Sequence, residues 1–230
     1  VERQRERGPV EQGTGERAGE AAPERERKSD RTRRRILDAA ADVLNRKGYA
    51  GARLSEIAKL ADLQVPAIYY YFGSREEILE EVVSIGARIT MEHVEARLAE
   101  LPPTASNMDR ICASAGAHLQ MVLREADYAA AAVRSVAQIP AEVRQRQLTG
   151  QREYGALWRS LLADAAATGE LDPGLDPHGA RMLLIGALNW APDWWDPARG
   201  SVEEIVATAE RLVRNALTGA RGERPRVDPS

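Results

Sequence analysis

From Thr32 onward, large apolar side chains return at three- and four-residue intervals, and no segment alternates apolar with polar residues. Ile36, Leu37, Ala40, Val43 and Leu44 form the first helical stripe, which Gly48 is placed to stop. Leu54, Ile57, Ala58 and Ala61 form a second. Asp62 and Leu63 then leave room only for a tight turn before a third short helix over 65–71. Two short helices joined by such a turn, with another helix beneath, are the trihelical form of the helix-turn-helix. Gly73-Ser74-Arg75-Glu76-Glu77 reads as a terminating glycine, a Ser N-cap and an acidic first turn, and Ser74 and Glu77 have capping-box spacing. A long helix follows on Ile78, Leu79, Val82, Ile85 and Ile89, and Pro102-Pro103 ends it.

The remaining pattern predicts helices over 108–123, 128–137 (ended by Pro140), 142–167, 177–190 and 202–217. The predicted class is therefore all-α, with about nine helices and no internal repeat. The predicted organisation is a disordered charged extension over 1–30 and a helix-turn-helix domain over 31–79. An α-helical ligand-binding and dimerisation bundle over 80–219 and a tail over 220–230 complete it. The extension is assigned on composition, since Arg, Glu, Gly and Pro with almost no large apolar residue cannot offset ordering entropy.

Composition narrows the function. The 230 residues carry a net charge of −3, which argues against a wholly basic nucleic-acid binder and leaves room for a local basic patch. One such patch is Lys28, Arg31, Arg33, Arg34 and Arg35, either a solvated helix start or an arm that contacts phosphate or the minor groove. A single cysteine, Cys112, excludes an intramolecular disulfide and a Cys-based zinc site, and a cytoplasmic setting is expected. The richest apolar run, 182–188, is broken by Asn189 and is too short to span a membrane, so no membrane partner is expected. The charged N-terminus has no apolar core of a secretory signal. His93, His118 and His178 fall on three different predicted helices without a second ligand at helical spacing, so no metal is expected. No phosphate loop or nucleophile motif is present, and neither a cofactor nor an enzyme is expected.

Residues 65–72 are the densest stretch of the chain: three of its six tyrosines and its one phenylalanine stand there. One short helix cannot bury so many rings, so some face outward. Three segments bear on what they face: Arg35-Ile36-Leu37-Asp38-Ala39-Ala40, Lys47-Gly48-Tyr49 and Ile57-Ala58-Lys59-Leu60-Ala61. Most specific is Ile68-Tyr69-Tyr70-Tyr71-Phe72-Gly73-Ser74-Arg75-Glu76-Glu77-Ile78-Leu79. Together they make residues 32–79 resemble the DNA-binding domain of the TetR (tetracycline-repressor-like) family. Beyond residue 80 the resemblance is weak. The chain departs from the family pattern at Asp62, where glycine is usual, at Gln64, where serine caps the recognition helix, and at Ala52-Arg53, where Thr or Ser is favoured. Asp tolerates the left-handed conformation, and Pro66 is pre-shaped for a first helical turn.

The N-terminal residues of a recognition helix reach base edges, which points to Val65, Pro66, Ala67 and Tyr69. Arg53 and Ser55 open the second helix beside the same DNA backbone. The resemblance implies phosphate contacts for Tyr70, Tyr71 and Arg75, although one Tyr, Tyr71 foremost, could equally be core. It also implies a homodimer on double-stranded DNA with a palindromic operator, its last two helices paired as a four-helix bundle. Gly186, Ala187, Trp190, Ile205, Ala209, Leu212, Val213 and Ala216 are the candidate dimer face. A hydrophobic effector, with an acyl thioester suggested by family analogy, would lie inside the bundle. Its candidate lining is Met108, Cys112, Leu119, Tyr128, Tyr154, Trp158, Met182 and Asn189, all of which could equally be core. The Trp-rich run 189–197 is either helix packing or a pocket wall or dimer rim. The expected function is a regulator, most simply a repressor released by its effector. An architectural DNA-binding dimer, or a binding module or enzyme with a vestigial helix-turn-helix, stays open.

Overall fold

The computed structural model describes residues 21–124, 127–136 and 149–219. The expectations for residues 1–20, for the helix start at 142 and its preceding Pro140, and for the tail from 220 lie outside the described residues. The chain divides into two compact units, Val1–Arg35 and Ile36–Ser230. In the first, helix α1 (Ala21–Gly51) already runs from Ala21, which corrects the disorder expected up to residue 30. Pro23 suits a first helical turn, and Glu, Arg and Lys are good helix formers. Low hydrophobicity excludes a core, and a solvated helix needs none.

In the second unit the stripe of α1 buries Ile36, Leu37, Ala40, Val43 and Leu44. Gly48 breaks the helix at φ 66°, a backbone conformation natural only to glycine. Helix α2 (Leu54–Leu60) ends in a Schellman turn: Leu63 N–H donates to Ala58 O and Asp62 N–H to Lys59 O. Asp62 takes the left-handed position at φ 54°. Helix α3 (Val65–Ile68) is shorter than expected, and tight turns carry the chain through Tyr71 to Phe72. No side chain caps its start at Gln64. Helix α4 (Arg75–Ala99) is capped by Ser74, whose hydroxyl accepts from Glu77 N–H at 3.1 Å. The Glu77 carboxylate accepts from Gly73 N–H at 2.7 Å, one residue earlier than a capping box would place it.

Helices α5 (Asn107–Arg124), α6 (Asp127–Val136), α7 (Thr149–Ala167), α8 (Pro177–Trp194) and α9 (Val202–Thr218) complete nine α-helices, with no strand, among the described residues. Helix α8 runs four residues past its expected end, carrying Pro192 in its last turn. A 3-10 turn, Pro197–Arg199, and a full capping box of Ser201 with Glu204 start α9.

Two hydrophobic cores share α4. Its early turns give Ile78, Leu79, Val82 and Val83 to a core with Ile57, Ile68 and Phe72. Its later turns give Val94 and Leu98 to a second core built on Ile111, Trp158 and Leu162. Helix α6 crosses α4 at Gly86, where an added Cβ would overlap the Tyr128 carbonyl and lie 2.7 Å from Ala132 Cβ. Tyr128 O–H also donates to Asp38 Oδ1 of α1 at 2.7 Å.

The second core has a polar inclusion. His118 is 2% exposed, and its Nδ1 lies 2.7 Å from Tyr154 Oη. The two rings stack 5.8 Å apart at 11°, and Tyr154 meets Trp158 edge to face at 6.3 Å. Burial pushes the His118 imidazolium down to about 4, opposed by neighbouring Asn189, and pushes the Tyr154 phenol far up.

Two outcomes follow from this packing. Gly86→Ala must separate α4 from α6, and it should lower stability by about 1–3 kcal/mol, read as a fall of several degrees in thermal unfolding. Between pH 6.5 and about 4, the unfolded chain binds a proton at His118 that the folded chain refuses. Stability should therefore fall with pH through that window, by up to about 3 kcal/mol, with the loss complete below it. Denaturant titration of His118→Gln against wild type across that range should show a shallower fall in the variant.

Candidate nucleic-acid interface

The turn-helix-turn from Val65 to Phe72 sorts its rings by face. Ile68 and Phe72 are buried in the first core, four residues apart. Tyr69 is 56% exposed and Tyr70 84% exposed. Tyr71 is half-buried against the core and meets Tyr70 edge to face at 5.2 Å. Pro66 is exposed and Ala67 half-buried. Val65 packs against the core and offers only part of its surface, a correction to its expected place among fully available base-edge residues. Arg53 and Ser55 stand exposed where α2 begins. Arg33 lies in the N-terminal unit and is half-buried there. Exposed phenols donate to phosphate oxygens or pack on base edges, so this face suits a nucleic-acid backbone.

Arg75 corrects the expectation drawn from resemblance. Its Nε donates to Ala52 O at 2.5 Å, its Nη2 to Tyr49 O, and its Nη1 pairs with Glu76. Its guanidinium also lies 5.1 Å from the centroid of the Tyr49 ring. Those donors bind α4 to the turn before α2, so Arg75 acts first as a structural clamp. Burial raises the Tyr49 phenol above its ordinary value, and Arg75 opposes the shift. Lys47 donates to Glu56, and that hydrogen bond holds the Glu56 carboxyl below the usual range.

In the bundle, Met108, Leu119, Tyr154, Trp158 and Asn189 belong to the second core or its edge. Cys112 is buried too, but its thiol points to Glu210 O of α9, and burial pushes its ionisation up. Tyr128 leaves the candidate lining, because it packs on the first core and bonds Asp38. Met182 leaves it as well: it lies two turns before Asn189 on the same stripe of α8, where it is 53% exposed. His118 was dismissed in the sequence as a satisfied core histidine, and it is buried at the centre of the polar inclusion. The available signal was its place on the α5 face of Ile111, Ala115, Leu119 and Val122.

The candidate dimer residues come together on one face of α8 and α9. Ala187, Ile205, Ala209, Leu212, Val213 and Ala216 line an open apolar groove of about 380 Å³. Trp190 is 63% exposed and Leu212 64% exposed, while Val213 forms the buried floor. Nothing lies within 4 Å of a Cβ placed on Gly186. Trp194 lines the same groove, and it also lines a second hollow of about 260 Å³ with Trp195. This is the rim reading of the Trp-rich run.

Comparison with known proteins agrees with this architecture. Residues 36–82 match the family model for bacterial regulatory proteins of the tetR family, and residues 104–217 match a tetracyclin repressor-like C-terminal domain. The fatty acid metabolism regulator protein of Bacillus subtilis is 24% identical over 184 residues, spanning 80% of this chain and 93% of that protein. The repressor NicS of Pseudomonas putida is 42% identical over 59 residues, 26% of this chain and 28% of its own length. A solved TetR/AcrR-family regulator from Thermobifida fusca is 33% identical with a TM-score of 0.58, covering 84% of this chain and 100% of that one. AibR, solved with isovaleryl coenzyme A and operator DNA, shares the fold at 21% identity and a TM-score of 0.69, covering 79% of this chain and 97% of that one. Two family models covering both the helix-turn-helix and most of the bundle settle the assignment: the chain belongs to the TetR family of transcriptional regulators.

Proposed function

We propose that the protein is a homodimeric repressor that binds a palindromic operator and is released by an acyl thioester. The observation that carries the DNA reading is Tyr70, whose ring is 84% exposed two residues from the buried Phe72. Tyr69 and Pro66 touch base edges, Tyr70 grips phosphate, and Arg53 and Ser55 approach the same backbone. A recognition helix that opens on Val65 and Pro66 has few side-chain hydrogen bonds for bases, so it positions the protein more than it reads sequence.

Dimerisation is supported by Gly186. An internal glycine weakens a helix by about 1 kcal/mol against alanine, and no contact within the chain uses its missing Cβ. Close approach of a partner helix would use it, in a face already lined by Trp190 and Leu212. Two subunits would then place their recognition helices about one DNA turn apart, ~34–36 Å or a multiple.

The effector class is supported by relatives. AibR was solved with isovaleryl coenzyme A, a FadR from Bacillus subtilis with stearoyl-CoA, and the Bacillus subtilis relative is named for fatty acid metabolism. Coupling is supported by α4, which begins on the Arg75 clamp and crosses α6 at Gly86. An effector that moves α4 would carry the helix-turn-helix with it. Moving operator-competent occupancy from 99:1 to 1:99 requires ~5.5 kcal/mol of differential affinity.

Two measurements check this reading. With an operator selected from random DNA, Tyr70→Ala should weaken binding at least about tenfold while keeping the selected base preference, read by anisotropy and repeat selection. Unchanged affinity would remove Tyr70 from the interface. Gly186→Trp should convert the dimer to monomer in sedimentation without lowering helical content by circular dichroism; a persisting dimer would place the interface elsewhere.

A further inference from the structure

The polar inclusion of the second core differs from the other buried polar groups. Ser114 and Thr90 each donate to a backbone carbonyl one turn back, at 2.8 Å, and are satisfied. In the inclusion, His118 Nε2, Trp158 Nε1 and Asn189 Oδ1 are all buried without a hydrogen-bond partner. These three atoms come from α5, α7 and α8 and are strung along one line of neighbours. Trp158 stands against Tyr154, Tyr154 bonds His118, and His118 faces Asn189. Each such atom costs about 1–3 kcal/mol when left unpaired, and apolar side chains of the same shape would avoid the cost. Three together in one core mark a place built for a polar visitor.

Proton positions follow from the chemistry of the ends. Trp158 Nε1 can only donate and Asn189 Oδ1 can only accept. The arrangement consistent with both has Tyr154 O–H donating to His118 Nδ1, which leaves His118 Nε2 carrying its proton. The string therefore offers two N–H donors and one carbonyl acceptor. None of the four side chains is charged at neutral pH, because burial keeps His118 unprotonated. A carboxylate placed there would lose its hydration without meeting a cation, whereas a carbonyl oxygen needs only the donors.

We propose that His118, Tyr154, Trp158 and Asn189 form the polar end of a ligand site whose ligand presents an uncharged carbonyl, as in a thioester, ester or amide, rather than a free carboxylate. This deepens the effector reading above and rests on it. The acyl chain would lie along the apolar surroundings of Ile111, Leu161 and Leu162.

The test uses the full chain and titration calorimetry. The probes are isovaleryl-CoA and stearoyl-CoA, the matching S-alkyl coenzyme A thioethers that lack the carbonyl, and the matching free acids. Wild type should prefer each thioester over its thioether and over its acid by about tenfold or more, the worth of one well-made buried hydrogen bond. Tyr154→Phe and Asn189→Leu should erase the thioester-over-thioether preference, with ligand-free operator binding within about twofold of wild type as the control for folding. A variant that loses affinity for thioester and thioether equally, or keeps the preference, assigns these residues a purely structural role and overturns the inference. Free acids that bind wild type as tightly as thioesters also overturn it. Wild type that binds operator but no thioester sinks the effector reading and this inference together. Thioester binding that the variants leave unchanged overturns this inference alone.

Discussion

The guanidinium of Arg75 holds three helices at one point. It stands on the first turn of α4, donates to the carbonyls of Tyr49 and Ala52, and lies over the Tyr49 ring. The carbonyls belong to the end of α1 and the turn before α2, which are otherwise joined to α4 through side-chain packing alone. An arginine fork is pre-organised for such bonds and loses little entropy in making them. With that clamp in place, α4 and the helix-turn-helix move as one body. Helix α4 has 25 residues, about 37 Å at 1.5 Å per residue, and ends in a different core from the one where it starts. A lever of that length is what a ligand in the bundle needs in order to act on DNA.

The bundle end of the lever is constrained differently. At Gly86 the backbones of α4 and α6 approach until no side chain fits between them, and Tyr128 ties the same segment of α6 to Asp38. Helix α6 therefore touches both the lever and the helix-turn-helix. The polar inclusion lies on the other helices of the bundle, α5, α7 and α8. Filling it would shift helices that pack against α4 without passing through a mobile surface loop. The outer face of α8 and α9, rich in exposed Trp and Leu, takes no part in either core and remains for a second subunit.

Much of this was legible in the sequence because it rests on local rules. The apolar spacing of α1, α2 and α4, the Ser74 cap and the left-handed turn at Asp62 all depend on residues within a few positions of one another, and each appeared where it was expected. What escaped depends on distant or backbone partners. The acceptors of Arg75 are main-chain carbonyls 23 and 26 residues away, and a carbonyl has no sequence signature. Tyr128 finds Asp38 ninety residues away, which took it out of the ligand lining. The extension of α1 to Ala21 was hidden because low hydrophobicity excludes burial without excluding a helix. His118 was visible as a lone histidine on an apolar stripe, but its two neighbours on other helices were not.

The claim that carries the account is that α4 transmits ligand binding to the recognition helices as a rigid lever. Spin labels at Lys59→Cys, exposed on α2, in a Cys112→Ala background would report the distance between the two halves of the dimer. The account predicts one narrow distance distribution when operator is bound. Saturating acyl thioester should displace it by several ångströms, with operator affinity falling in parallel. A distribution that stays in place while the thioester releases the operator would contradict the lever.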